Sequence, residues 1–425
     1  MPDSPVIVVG GGPAGLSAAT ELARVGLKVL VVDQGQALGG AIHRQPRPGV
    51  KSVASAAQKR RWDGVMTGLI AQRDNITINL STRFCGLDHT GTVLLGGTIN
   101  QLIHPRALVL ALGARETVQP RPGWTHVGVE TVGSLQTRLK TLGQAPTGRI
   151  LLAGSGPLLL ALGAELTRLG NPPVAIVEAG RPFHHPLTAL RLPLGYWMEA
   201  CQYLIRLRLA GVPILNGSHL TAIRSETGRL QAEVQTPRGH KTFTIDHIGL
   251  HDGIRPNDIG LPDCATLPVI RVGDCHEALG ARAAIADGRA GGAALAARLL
   301  GQPKPVPDRE VKRQLDAQTR LARIYAHDGA ERLHQLPSDT VICRCEARTV
   351  DDLRALGPSP TARQLRLDGR FAMGPCQGRF CADWVNQLAH SKSPQSGIGA
   401  PRWPASPIAV SDLLAATTDT KGDIL

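Results

Sequence analysis

Aromatic side chains are scarce in this chain of 425 residues, which holds 3 Tyr, 5 Phe, 5 Trp and only 4 Met. A core must therefore come from Leu, Val, Ile and Ala, which suits parallel strands buried under helices. The same scarcity argues against a nucleic-acid binder, which needs stacking rings among clustered basic residues. The Arg residues here are scattered. The net charge of +13 is better read as attraction for anionic cofactors or an acidic partner surface. No apolar run reaches the roughly 18 residues of a membrane helix. The opening MPDSPVIVVGGG has neither a basic n-region nor an h-region, so no signal peptide is expected. Cys-x-x-Cys is missing, which excludes a disulfide reductase with a redox pair beside a flavin. The expected setting is a reducing cytoplasm, with peripheral placement at the inner membrane through partners left open. There, clustered Cys signals metal before disulfide.

What is present is a repeated strand–helix–strand pattern. VIVVG, PAGLSAATELARVG and KVLVVD form one βαβ unit, and RILLAGSG, PLLLALGAELTRLG and VAIVEAG form a second. The expected class is α/β. A first nucleotide-binding domain covers 1–120 and 241–300, and a second, inserted one covers 121–240. The Pro-rich GQPKPVPD and a charged helical stretch, Arg309–His334, make a linker and helix over 301–336. A cysteine module follows over 337–390, then an irregular tail rich in Pro and Ser over 391–425.

Gly10-x-Gly12-x-x-Gly15 stands between the first strand and helix, where the dinucleotide fingerprint belongs. Gly10 permits the turn, Gly12 the approach of a pyrophosphate, and Gly15 close helix–strand packing. The helix N-terminus favours phosphate. Asp33, at the end of the second strand, is placed to accept from ribose hydroxyls. Gly39 and Gly40 allow a second close approach, and Arg44 is a phosphate contact or a solvated surface residue. Asp274, in VGDC before a helix, is a ribityl contact or a plain helix cap. That helix would aim its dipole at a flavin ring. Together these segments point to FAD, with Gly113 turning the chain after the buried run ALVLALGA.

The second unit reads Gly154-x-Gly156-x-x-Leu159, with Glu178 ending its next strand. Leu at the third glycine position is expected to move the helix off the strand or change its packing. A carboxylate at 178 disfavours a 2′-phosphate. The site takes NAD, takes another adenine nucleotide, or is empty. Near the C-terminus, Cys343-x-Cys345 and Cys376-x-x-x-x-Cys381 offer four thiolates to a [2Fe–2S] cluster or to zinc. A single residue between the first two thiols is less typical of zinc. The turn-forming GPCQGR can aim backbone N–H groups at sulfur, and Arg344 and Arg379 offset thiolate charge.

The ordered set GGAIHRQ, ALVLALGARETVQPRPGW, RILLAGSGPLL, HDGIRPN, VGDC, ICRCE and GPCQGRFC resembles the alpha-type subunits of heteromeric amine and amino-acid dehydrogenases. That family includes the corresponding subunits of opine oxidase and of hydrogen cyanide synthase, and those of proline and D-hydroxyproline dehydrogenases. The resemblance covers nearly the whole chain. It implies a flavoprotein with two dinucleotide-binding domains and a C-terminal [2Fe–2S] domain like bacterioferritin-associated ferredoxin. It implies FAD contacts at Gly10, Gly12, Gly15, Asp33 and Asp274, and cluster ligands at Cys343, Cys345, Cys376 and Cys381. It also implies a beta subunit that oxidises a substrate C–N bond with its own flavin. A small ferredoxin-like gamma subunit and FMN at a subunit interface are further options. Ala111-Leu112-Gly113 stands where many such flavoproteins have Ala-Thr-Gly, so one local hydrogen bond is lost.

On this reading the chain is the electron-transfer subunit of an oxidoreductase acting on CH–NH or CH–NH2 donors, with the substrate itself oxidised on the partner subunit. The alternatives are a free-standing NADH-dependent reductase and a non-catalytic redox-sensing subunit. No general base stands out: His184-His185-Pro186 reads as a turn, and Cys275 as a buried structural thiol.

Overall fold

The computed structural model describes residues 4–418, apart from 227, 259–260, 262–263, 279, 307–308, 328, 390–396 and 400–402. Two five-stranded parallel sheets organise it. In the first, the spatial order is Val269–Arg271, Ala107–Leu110, Val6–Val9, Val29–Val32, Ile76–Asn79. In the second it is Val129–Thr131, His247–His251, Ile150–Gly154, Ala175–Glu178, Ile214–Asn216. The fingerprint strand is central in both. The β-branched run VIVV is buried at all four positions, because helices cover one face of the sheet at Val6 and Val8 and the strands Thr82–Leu87 and Val93–Gly97 cover the other at Ile7 and Val9. The first sheet takes its edge strand from Val269–Arg271, which lies beyond the whole second sheet in sequence.

The Pro13–Arg24 helix lies against the helix Ala281–Leu299. A Cβ on Gly288 would overlap the Ala14 carbonyl, and one on Gly292 would stand 2.7 Å from the Ala18 oxygen. Small residues four apart thus let two helix backbones touch. An antiparallel pair, Ala114–Glu116 with Ile254–Pro256, carries the chain between the two folds. A meander, His219–Glu226, Arg229–Thr236 and Gly239–Ile245, covers the second sheet and shares its core through Ile223, Leu230 and Val234.

Two expectations change. The charged stretch is two helices, Arg309–Ile324 and Gly329–His334, parted by a turn at Tyr325, whose carbonyl accepts from Ser155 Oγ. The tail is not irregular throughout. It forms the helix Val410–Thr418, whose Ala416 packs with Cys85 and Leu94 of the small sheet Thr82–Leu87, Val93–Gly97 and Gln101–Ile103. Those apolar partners come from the first domain, too far along the chain for any local periodicity to reveal them. Of the two outcomes expected at Leu159, the changed packing is the one found: Leu159 is fully buried with Leu152 and Leu162, and Gly163 supplies the close approach to Ile176 and Leu207.

The cysteine module pairs Val341–Cys343 with Arg348–Thr349, followed by short helices Val350–Arg354, Ala362–Leu367 and Ala382–Leu388. It is anchored on the two folds by buried polar groups. Trp124 Nε1 donates to the Val341 carbonyl at 2.7 Å, and Trp384 Nε1 to the Val118 carbonyl at 2.9 Å. Arg115 donates to Asp383 at 2.8 Å and to the Arg379 carbonyl at 2.9 Å. The Arg115–Asp383 pair is mostly buried, so Arg115→Ala should leave a carboxylate and a carbonyl poorly paired, at about 2–3 kcal/mol. The expected result is tryptic cleavage in the 301–336 segment accelerated roughly 30- to 150-fold, with bound flavin retained. Unchanged cleavage would show that the aromatic anchors alone hold the module.

Candidate functional site

A cavity of about 1700 Å³ runs between the two folds to the cysteine module. Ordinary ligand sites measure roughly 300–1,000 Å³, so this one has room for an extended dinucleotide and more. Gly10, Gly12, Asp33, Gly40, Arg44, Gly113 and Asp274 all line it. Gly15 does not. It packs so closely that a Cβ would overlap the Gly10 carbonyl, and Gly10 itself turns at φ 111° against Ala111. Gly12 and Gly40 face each other across the cavity wall, with a Gly12 Cβ position 3.8 Å from the Gly40 Cα. The Asp33 carboxylate accepts from Gly11 N and Gly35 N, both at 2.6 Å, and still faces the cavity. This cradle fits a dinucleotide: two backbones free of side chains, a helix N-terminus and a carboxylate facing the cavity.

Asp274 lies in the turn Gly273–Cys275, and its Oδ1 accepts from Gly280 N at 2.8 Å. The long helix begins only after Gly280, which is its cap, so Asp274 is not a plain N-cap. Gly280 and Ala284 bring that helix N-terminus to the cavity. The Cys275 thiol is buried beside it, and burial pushes its pKa up to about 11, as befits an inert thiol. His184 and His185 stand exposed at a turn, outside this cavity.

The second fingerprint differs in one respect. Gly154 turns at φ 141°, and Gly156, Pro157 and Leu158 line the cavity, but Glu178 does not. Glu178 is 3 % exposed. Its carboxylate accepts from Ser155 Oγ at 2.7 Å, Gly180 N at 2.8 Å and Gly156 N at 3.0 Å. Burial raises its pKa, against the pull of those donors. The chain at Tyr325, just after the helix Arg309–Ile324, lies over it: the Tyr325 carbonyl is 3.0 Å from Ser155 Oγ and 3.0 Å from where a Gly180 Cβ would stand. These contacts hold the carboxylate off the cavity.

Two features escape sequence reasoning. His251 Nδ1 is 2.6 Å from Glu116 Oε1, while Glu116 Oε2 accepts from Gly133 N at 2.8 Å. Both side chains line the cavity near Gly156. They lie 135 residues apart, within segments notable only for resemblance, so no spacing flags them. The tail supplies the other: Ala405, Ser406 and Pro407 form part of the cavity wall beside Thr82 and Phe84.

At the opposite end, the thiols form a row: Cys381, Cys343, Cys345, Cys376, each within hydrogen-bond reach of the next. Among the described residues, no group of three or more His, Cys, Asp and Glu stands ready to hold a single metal ion. The row is nonetheless compatible in donor type and spacing with bound metal. Cys345 and Cys376 sulfurs are 3.6 Å apart, near the edge of about 3.8 Å for a tetrahedral thiolate site with metal–sulfur bonds near 2.3 Å. Backbone N–H groups of Ala372 and Glu346 point at the Cys343 sulfur. Ala347, Arg370, Ala372 and Gln377 all take positive φ, four of the five such non-Gly residues described. Backbone held in so unfavourable a region clusters where a site demands it. A hydrogen bond from Cys381 draws the Cys343 pKa down to about 6, and Cys381 is pushed up in turn. Burial and the neighbouring thiols push Cys345 up to about 12. One thiol thus ionises readily and its neighbours resist, which a cation among them would offset.

Arg379 joins the two regions. It lines the cavity with Pro375 and Gly113, and its guanidinium donates to the Cys376 carbonyl at 3.2 Å and to Asn257 Oδ1 at 3.3 Å.

Residues 4–275 match the family model described as pyridine nucleotide-disulphide oxidoreductase. The chain is homologous to an opine oxidase subunit of Rhizobium meliloti, 29% identical with 91% of this chain and 92% of the relative covered. It is likewise homologous to the hydrogen cyanide synthase subunit HcnB of Pseudomonas aeruginosa, 29% identical with 95% and 96% covered. The fold is similar to that of L-proline dehydrogenase from P. horikoshii, with a TM-score of 0.60 at 17% identity over 96% of this chain and 79% of that one. No described helix is long and apolar enough to cross a membrane.

Proposed function

This chain belongs to the pyridine nucleotide-disulphide oxidoreductase family, and from that premise we propose that it is the electron-transfer subunit of a heteromeric amine or amino-acid dehydrogenase. In this reading FAD lies along Gly10, Gly12, Asp33, Gly40, Arg44, Gly113 and Asp274. A [2Fe–2S] cluster sits on Cys343, Cys345, Cys376 and Cys381. The C–N bond of an amino acid or secondary amine is oxidised on a partner beta subunit. When bound, a flavin takes two electrons and releases them singly, and a [2Fe–2S] cluster accepts one at a time. The observation that carries the proposal is the placement of Arg379, which touches the Cys376 loop and lines the same cavity as Gly113 and Asp274. The chain's own residues then have simple tasks. Gly12 and Gly40 clear a path for the pyrophosphate, Asp33 holds the ribose, and the Gly280 helix end favours negative charge on the flavin side. Arg115 and the two indoles keep the cysteine module docked.

The NADH-reductase alternative is disfavoured because Glu178 is saturated and covered by Tyr325. The lobe at Gly156, Leu158 and the Glu116–His251 pair suits a nucleotide without adenosine, such as FMN at a subunit interface. The homologous subunits support the partner, and the opine oxidase name favours an opine or amino-acid donor.

Expressed alone, the chain should hold flavin and iron yet reduce no dye with proline, hydroxyproline, glycine or an opine. NADH should bleach its flavin no faster than the buffer control. The complex purified with its partner should show amine-dependent dye reduction. Robust oxidation by the isolated chain, or zinc in place of iron, would overturn the relay.

A further inference from the structure

We propose that the outer face of the helices Pro186–Leu190 and Leu194–Leu209 is the docking surface for a partner protein that presents an apolar face bordered by carboxylates. The inference rests on the subunit reading above and adds where on this chain the partner sits.

Leu194, Met198, Ile205 and Leu209 share one face of the longer helix at helical spacing, Leu187 and Leu190 stand three apart on the shorter one, and the exposures of all six run from 54 % to 84 %. The exposed Cys201 fills the gap between Met198 and Ile205, and Phe183, 66 % exposed, extends the stripe at its start. A helix of a globular protein turns its apolar stripe to the core. This helix already has such a face, since Leu207 is fully buried and Tyr203 packs in the same cluster as Leu162 and Leu166. The exposed stripe is therefore a second apolar face that none of the described residues covers. Single exposed leucines are ordinary, but a row of this length marks a contact surface.

Its border identifies the occupant. Residues 181–211 contain four Arg, no Lys, no Asp and one Glu. That Glu199 is engaged by Arg282 at 3.0 Å and Arg61 at 3.5 Å, so the remaining charge is all positive. Phe183, Tyr196, Trp197 and Tyr203 concentrate the chain's scarce aromatics here. Arg, Met and aromatics without Lys or Asp is the composition of a protein–protein contact. Arg in preference to Lys matches the paired hydrogen bonds of a carboxylate. A bilayer surface would take Lys as readily. A second copy would set its own Arg border against this one, on a chain of net charge +13.

The test uses the native complex and the tagged chain alone. Cys201 lies by itself in the tryptic peptide 192–206, so its alkylation by iodoacetamide is read by mass spectrometry. The expected result is alkylation at least tenfold slower in the complex than in the isolated chain. The variant Leu190→Glu/Met198→Glu should weaken the complex at least a hundredfold while its flavin content stays at the wild-type level. If the variant assembles normally and Cys201 reacts equally in both states, the surface is wrong although the subunit reading stands. A wild-type chain that purifies from its native source without a partner overturns both. Protection by phosphatidylglycerol vesicles, or by doubling of mass at high chain concentration, in place of protection by the partner overturns the proposal in favour of a bilayer or a second copy.

Discussion

Gly12→Glu should give a folded chain that binds FAD at least a hundredfold more weakly, a loss of about 3 kcal/mol or more. Gly12 takes φ −81° and ψ 176°, extended backbone open to any residue. A Cβ there meets only the Gly40 Cα at 3.8 Å. The new carboxylate would project into the cavity where the pyrophosphate is expected, replacing attraction at a helix N-terminus with like-charge repulsion. Thermal unfolding in the absence of flavin should move by no more than a few degrees. The contrast is Gly15→Ala, whose Cβ would overlap the Gly10 carbonyl. That change should destabilise the first fold itself, and its loss of flavin should accompany a loss of structure. Retention of flavin by Gly12→Glu would mean that the dinucleotide does not cross this turn.

Cys376→Ser should remove iron and spare flavin. Serine is far less readily ionised than cysteine and is a harder ligand, while the half-exposed position of Cys376 makes the exchange mild for the fold. Dye reduction by the assembled complex should fall at least a hundredfold, with the visible flavin bands unchanged and iron content reduced at least tenfold. Cys264→Ser, outside the module, should alter neither quantity. Wild-type turnover by a Cys376→Ser complex that has lost its iron would remove the cluster from the electron path.

The parts legible in the sequence are those whose chemistry needs neighbours along the chain. The strand–glycine turn–helix pattern at Gly10 to Gly15 and the closing carboxylate Asp33 are local, because one βαβ unit contains them all. The thiols come as two close pairs, so their spacing shows. The duplication shows as well, and the two sheets repeat it in strand order around Val6–Val9 and Ile150–Gly154. Contacts made by folding were not legible. Arg115 reaches Asp383 across 268 residues, and Glu116 reaches His251 across 135. Neither pair leaves a periodic trace, and a tail expected to be irregular forms a wall of the cavity beside Phe84.

The clearest division lies between the two fingerprints. In each, a carboxylate accepts from a backbone N–H of the glycine turn 22 residues earlier: Asp33 from Gly11, Glu178 from Gly156. By sequence alone the two turns differ in the third glycine position, Gly15 against Leu159, and the second stands open between a nucleotide site and an empty one. The tertiary structure separates them, because Asp33 remains on the cavity whereas the segment at Tyr325 closes over Glu178 through Ser155, 170 residues away from it. Local sequence determines a turn and the group beside it. What covers that group depends on packing between distant segments, which is decided only when the whole chain is folded.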